Sequence, residues 1–292
     1  MIRRTMLFMP GNNPGMLQNA GILGADSIIL DLEDAVYISE KDSARILVKN
    51  AIKEIDFYNS EIVVRINPIS TEFGYKDIEE IASVKPDAIM VPKATEDDII
   101  QVDRIMTNIE KSKDFKEGSI KIFPLIETAY GIENIYSIIK SSERVVGVLL
   151  GGEDLTADLG IKRTKAGDEI YYARSRVASA SKACNIDAID TPFTDIDDTE
   201  GLLDDVKKAK SIGMTGKAAI NPRQIDIIHD VFAPSEDEIK YAIRVKEAYD
   251  KAKAEGKGVF SLDGKMVDAP VINRANKILD RAYSAGIIKR CI

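Results

Sequence analysis

The 292-residue chain contains only two cysteines, Cys184 and Cys291, and one histidine, His229. Two thiols cannot build a disulfide framework or a thiolate metal cluster, and both read as unpaired. His229 stands in Ile-Ile-His-Asp on a helical stretch and reads as a satisfied helix residue rather than a catalyst. No run of about 18 apolar residues occurs, which excludes a helical membrane span. The first strand-like segment starts by Thr5, so no signal peptide is expected before it and a cytoplasmic location is expected. Basic charge is also short. Forty Lys plus Arg against 48 Asp plus Glu leave a net charge of -8, the wrong sign for a nucleic-acid or anionic-membrane partner.

What is present is core-forming material, 45% apolar against 30% charged positions. Length alone allows two domains, but α/β barrels reach this size as one. Eight short apolar or β-branched runs read as strands: Thr5–Met9, Ser27–Asp31, Ile62–Asn67, Ala88–Lys93, Ile120–Ile126, Val145–Gly151, Ala188–Thr191 and Lys217–Asn221. Helical periodicity fills the intervals near 14–23, 40–54, 76–83, 96–111, 131–140, 168–184, 199–211 and 222–230. This alternation, with mostly unbroken apolar strands, predicts an α/β fold, a closed (β/α)8 TIM barrel. A doubly wound open sheet is the alternative, and no Gly-x-Gly-x-x-Gly opens a first helix to support it.

The polar residues gather where each strand finishes: Pro10-Gly11, Glu33-Asp34, Arg65 and Asn67, Lys93, Glu127, Glu153-Asp154, Thr191, Asn221. In a barrel these ends meet on the face that assembles active sites. One charged end is a solvated turn, whereas converging carboxylates repel unless a cation or substrate compensates them. Glu127 and Asp154 close the fifth and sixth strands. Neighbouring parallel strands lie roughly 4.8 Å apart, so both acids can reach one ion. Without a histidine or thiolate cluster the site is all-oxygen and selects a hard cation, Mg²⁺. The competing reading is a plain salt-bridge network through Lys93 or Arg65.

Arg65, in Val-Val-Arg-Ile-Asn-Pro, ends an apolar strand with a guanidinium suited to bidentate capture of a substrate carboxylate; the bland alternative pairs it with Asp31, Glu33 or Asp34. Asn67 joins it as a candidate substrate contact. Glu33 and Asp34 could orient metal-bound waters, or simply be acids favoured at a helix start. Lys93 could form a Schiff base, but surrounding carboxylates would keep it protonated, so a counter-ion role is expected.

At these motifs the sequence resembles the citrate lyase beta-subunit family within the HpcH/HpaI aldolase and malyl-CoA lyase superfamily. The matches are Arg-Arg-Thr-Met-Leu-Phe-Met-Pro-Gly at 3–11, Asp-Leu-Glu-Asp-Ala-Val at 31–36, Val-Arg-Ile-Asn-Pro at 64–68, Pro-Lys at 92–93, Ile-Glu-Thr at 126–128, Gly-Gly-Glu-Asp-Leu at 151–155, Ile-Asn-Pro-Arg-Gln-Ile at 220–225 and Gly-Lys-Met-Val-Asp-Ala-Pro-Val at 264–271. The resemblance implies a Mg²⁺-dependent barrel, residues 1–232, that cleaves a citryl thioester by retro-Claisen chemistry to oxaloacetate and an acetyl thioester. The carrier would be acyl-carrier protein or coenzyme A, and Arg3 or Arg4 is the candidate for its phosphates. By resemblance Glu127 and Asp154 hold the metal, and Arg65 with Glu127 contacts substrate. The resemblance further implies that residues 233–292 form a helical arm and lid whose Asp268 serves a neighbouring subunit as acid/base. A homo-oligomer, trimer or hexamer, is implied, with citrate lyase alpha and gamma subunits as possible companions. The alternatives are a malyl- or citramalyl-CoA lyase, or a non-catalytic barrel within a larger complex. Where the family typically has Gly-Ala-Glu-Asp this chain has Gly152, which bears on the rigidity of that loop.

Overall fold

Apolar, largely β-branched runs extend because their side chains pack well on a pleated surface. In the computed structural model, which describes residues 2–254, 259–284 and 286–288, they form eight parallel strands. These are β1 (Thr5–Pro10), β2 (Ser27–Asp31), β3 (Glu61–Arg65), β4 (Ala88–Val91), β5 (Lys121–Ile126), β6 (Gly147–Leu150), β7 (Asp187–Asp190) and β8 (Gly216–Ala219). Each pairs with its sequence neighbour. Thr5, Met6 and Leu7 of β1 pair with Lys217, Ala218 and Ala219 of β8, which closes the barrel and excludes the open sheet. Met6, Ile29, Val63, Met90, Phe123, Leu125, Leu149 and Ile189 form one fully buried apolar cluster, a packed core and not a pore.

The helices are α1 (Pro14–Asn19), α2 (Lys41–Glu54), α3 (Glu72–Ala82), α4 (Glu96–Ser112), α5 (Ala129–Lys140), α6 (Gly152–Asp158), α7 (Tyr171–Ala183), α8 (Thr199–Ser211) and α9 (Ile225–Phe232). Their starts are set by side chains that accept orphan backbone N–H groups: Asn13, Thr71, Thr128 and Asp198 cap α1, α3, α5 and α8, and Thr95 forms a reciprocal box with Asp98 on α4. Two differences from expectation matter for the site. Strands β3, β4 and β6 stop earlier than their apolar runs, so Asn67, Lys93 and Gly151 stand on loops. The extra helix α6 begins directly after β6, so Asp154 sits in its first turn and not at a strand terminus.

The opposite end of the barrel overturns one expectation. Arg3 donates to Glu61 through Nε and Nη2, both at 2.7 Å, and to Asp187 at 2.7 Å, with its guanidinium 5.1 Å from the Phe123 ring centroid. Arg4 is bound to Asp26. Glu61 and Asp187 start β3 and β7, so these arginines close the end of the barrel away from the mouth and are not carrier-phosphate ligands. Burial works against the charge of Arg3, but Glu61 and Asp187 outweigh it and hold its pKa above the ordinary arginine value. His229 lies with them, Nε2 2.8 Å from Thr5 Oγ1, as expected for a satisfied helix residue.

The described residues divide into two compact units, the barrel Arg3–His229 and a second from Asp230 onward that includes Ile2. The second contains α10 (Glu236–Ala254), an antiparallel hairpin β9 (Phe260–Leu262) and β10 (Lys265–Val267), and α11 (Ala269–Ser284). Its own core includes Ile239, Ala242, Val245, Val267, Ile272, Ala275 and Leu279. The hairpin turns through Asp263 and Gly264, both with positive φ (53° and 74°), the two-residue turn that Asp-Gly favours. Cys184, half-buried, is free. Cys291 and residues 255–258 lie outside the described residues.

Candidate active site

Parallel strands in register deliver their ends to one face, and there the structure brings together most of the expected side chains. A cavity of about 400 Å³ is lined by Phe8, Asp31, Asp34, Arg65, Glu127, Gly151, Gly152, Glu153, Asp154, Thr191 and several apolar residues. Among the described residues lining it are five carboxyl groups and one guanidinium, that of Arg65.

Arg65 ends β3 and is 8% exposed. Its Nε and Nη2 donate to the two carboxylate oxygens of Asp31 at 2.7 and 2.6 Å, and its guanidinium lies 5.1 Å from the Phe8 centroid. The fork expected to clasp substrate is therefore engaged within the protein. The Nη1 corner remains, 3.0 Å from Glu33 Oε2 and 3.5 Å from Asp34 Oδ2. Asp31 also accepts the N–H groups of Glu33 and Ala35, so it builds the acidic loop and fixes the arginine together. Burial opposes the arginine's charge, yet Asp31, Glu33 and Asp34 raise its pKa.

Glu127, 3% exposed, follows β5, and one oxygen accepts the Lys93 N–H at 2.8 Å. Burial first, then the charges of Glu33 and Asp154, push its pKa up to about 8. Burial likewise raises Glu33 to about 7, against the pull of Arg65. Gly151 leaves room for Glu127: a Cβ there would stand 2.6 Å from both Cβ and Oε2 of that side chain. Lys93 holds a left-handed backbone, φ 47°, and its ammonium lies 3.6 Å from Asp154 and 3.8 Å from Glu33. Burial lowers its pKa less than Glu33, Glu127 and Asp154 raise it, so the lysine stays protonated and is no Schiff-base nucleophile.

Asn67 is a correction. Its Nδ2 donates to Leu32 O at 2.9 Å and to Asp77 Oδ2 at 2.7 Å, away from the cavity, so both amide hydrogens serve the scaffold. Asp268 belongs to the second unit, where Oδ1 accepts the Val271 N–H at 3.3 Å as the cap of α11. Sequence reasoning missed how Thr191 seats Gly152 and that Phe8 underlies Arg65; an aromatic ending the first strand was the available signal for the latter.

The donor set fits a hard divalent cation. The carboxylates outnumber their counter-charges, and buried Glu33 Oε2 has the ion-pair contact with Arg65 Nη1 but no hydrogen bond of good geometry. Among the described residues no group of three or more His, Cys, Asp or Glu is assembled to hold a metal. A site of two carboxylates completed by water and substrate is the habit of Mg²⁺ and not of a closed structural site.

The fold and cavity thus define a (β/α)8-barrel enzyme with a carboxylate-rich mouth. The sequence matches the HpcH/HpaI aldolase/citrate lyase family over residues 4–222, and the chain belongs to that family. It is 41% identical to citrate lyase subunit beta of Haemophilus influenzae, across 97% of this chain and 98% of that protein. The crystal structure of CitE from Mycobacterium tuberculosis with magnesium, acetoacetate and coenzyme A is similar at a TM-score of 0.78 and 30% identity, covering 96% of this chain and 98% of that one. A citrate lyase beta subunit from M. tuberculosis, complexed with oxaloacetate and magnesium, matches at 0.68 and 29%, covering 80% and 98%.

Proposed function

We propose that this chain is a Mg²⁺-dependent carbon–carbon lyase that converts a citryl thioester, carried on acyl-carrier protein or coenzyme A, to oxaloacetate and the acetyl thioester. The observation that supports it most is the pair Glu127 and Asp154 on consecutive βα units of one cavity, beside an arginine corner and short of counter-charge. Held by these two acids, Mg²⁺ would act as Lewis acid toward the oxygen that passes from hydroxyl to ketone. The protein's own groups do the rest. Arg65 Nη1 orients the substrate carboxylate, and Glu33 and Asp34 position water beside it. Removing the hydroxyl proton lets the carbinol–α-carbon bond break. Its electron pair goes to the thioester enolate, which takes a proton to become the acetyl group. We assign that proton transfer to Asp268, brought to the mouth by the 233–292 arm of a neighbouring copy in a homo-oligomer. Companion alpha and gamma subunits and a cytoplasmic location belong to the same reading. Among the described residues no helix is long and apolar enough to cross a membrane.

The test is release of oxaloacetate from citryl-CoA, followed through malate dehydrogenase, beside malyl- and citramalyl-CoA assayed for glyoxylate and pyruvate. Preference for citryl-CoA that vanishes with EDTA supports the proposal. Preference for either other thioester makes the chain a malyl- or citramalyl-CoA lyase. No turnover of any of the three, alone or with partner subunits, leaves the non-catalytic reading.

A further inference from the structure

Two lysine–aspartate and two arginine–aspartate pairs outside the mouth bear on it. Arg174 of α7, Asp190 of β7, Asp205 of α8 and Lys217 of β8 form a charge-balanced quartet, each at most 5% exposed. Arg174 donates to Asp190 at 2.8 and 2.9 Å and to Asp205 at 2.7 Å. The Lys217 ammonium donates to Asp190, Asp205 and the backbone carbonyl of Thr191, each at 2.6 Å, which uses its three hydrogens and fixes the carbonyl. Thr191 in turn receives the Gly152 N–H on Oγ1 at 3.0 Å. Gly152 is the first residue of α6, whose N-cap, Gly151, has no side chain to offer. The cap of this helix therefore comes from the residue that follows the neighbouring strand β7. The fit is close: a Cβ on Gly152 would stand 2.9 Å from Thr191 Oγ1. Neither Gly151 nor Gly152 has positive φ, so the double glycine serves this approach rather than loop freedom.

We propose that Thr191, anchored by Lys217, is the positioning residue of the acidic turn: its hydroxyl holds the first N–H of α6 and so sets where Asp154 stands. The assignment rests on the metal role given to Asp154 above. It also explains why four charges are buried behind β7 and β8, where apolar packing would serve stability as well. The Lys217 ammonium, held by three hydrogen bonds, anchors Thr191, and Thr191 locates Asp154 two residues into α6.

The experiment compares wild type, Thr191→Val, Thr191→Ser and Gly152→Ala by amide exchange at Gly152 and by Mn²⁺ affinity from electron paramagnetic resonance. Thr191→Val should speed Gly152 exchange about tenfold and weaken Mn²⁺ about tenfold, since it leaves a buried donor unpaired. Thr191→Ser should restore both. Gly152→Ala, which pushes the hydroxyl away, should weaken Mn²⁺ with Thr191 intact, and it decides the matter if the valine variant does not fold. Wild-type exchange and affinity in both Thr191→Val and Gly152→Ala overturn the proposal. Failure of the wild type itself to bind Mn²⁺ refutes the metal reading, and the exchange arms still decide whether Thr191 holds the turn.

Discussion

At the residue scale the mouth is governed by burial of like charges. Glu127 keeps a pKa near 8 in the folded chain against an ordinary value of 4.5, so folding takes up a proton across that interval. The sign follows: the metal-free protein loses stability as pH rises from about 4.5 to 8, and the full cost, several kcal/mol at the limit, is felt above 8. Glu127→Gln should flatten this decline and raise the metal-free melting temperature at pH 8.5. An unchanged slope in calorimetry would sink the assignment. The same variant should abolish lyase turnover. For Arg65 the buried pairing with Asp31 predicts that Asp31→Asn costs about 3–5 kcal/mol in urea unfolding, because it uncouples a desolvated guanidinium. Arg65→Lys, lacking the fork, should both destabilise and weaken oxaloacetate binding by calorimetry, about tenfold or more. Arg65 was readable from sequence as a charge ending an apolar strand. That most of its fork is held by Asp31 was not, because pairing across strands depends on register.

At the element scale the site depends on where strands end and helices begin. Eight strand–helix units were legible from hydrophobic period alone, since a strand buried on both faces must read as an apolar run. Their C-terminal limits were not, because the same apolar residues continue past the last ladder bond. The consequence is concrete for β6, where Leu150 ends the strand and Gly152 already starts α6. Gly151→Ala should displace Glu127, whose Cβ and Oε2 would lie only 2.6 Å from the added carbon. The expected outcome is a Mn²⁺ affinity at least about tenfold lower with the circular-dichroism spectrum retained. Wild-type affinity would show that the glycine is dispensable.

For the whole molecule the question is how the second unit serves the first. Asp268 caps α11 in its own chain, and the acid/base role proposed for it is one played in a neighbouring copy. Mixing Asp268→Asn with Glu127→Gln protein should then regain activity, because some mouths in the mixed oligomer combine an intact metal pair with an intact lid aspartate. For a random mixture the recovery is on the order of a quarter of wild type. Mixtures as silent as either variant alone would place Asp268 in cis or outside catalysis. The second unit's α10–hairpin–α11 arrangement has a core of its own, so its removal should leave the barrel folded while turnover is lost.

Sequence by itself determined the barrel, the face on which chemistry gathers, and the identity of Arg65, Glu127, Asp154 and Lys93 as its polar content. These follow from periodicity and from the position of charge along each run, both local properties. The tertiary structure alone decided that Arg3 and Arg4 seal the far end, that Asn67 braces the loops through Asp77, and that Thr191 and Lys217 support the acidic turn. A buried polar group must find partners, and which partner it finds is fixed by packing between segments distant in the chain.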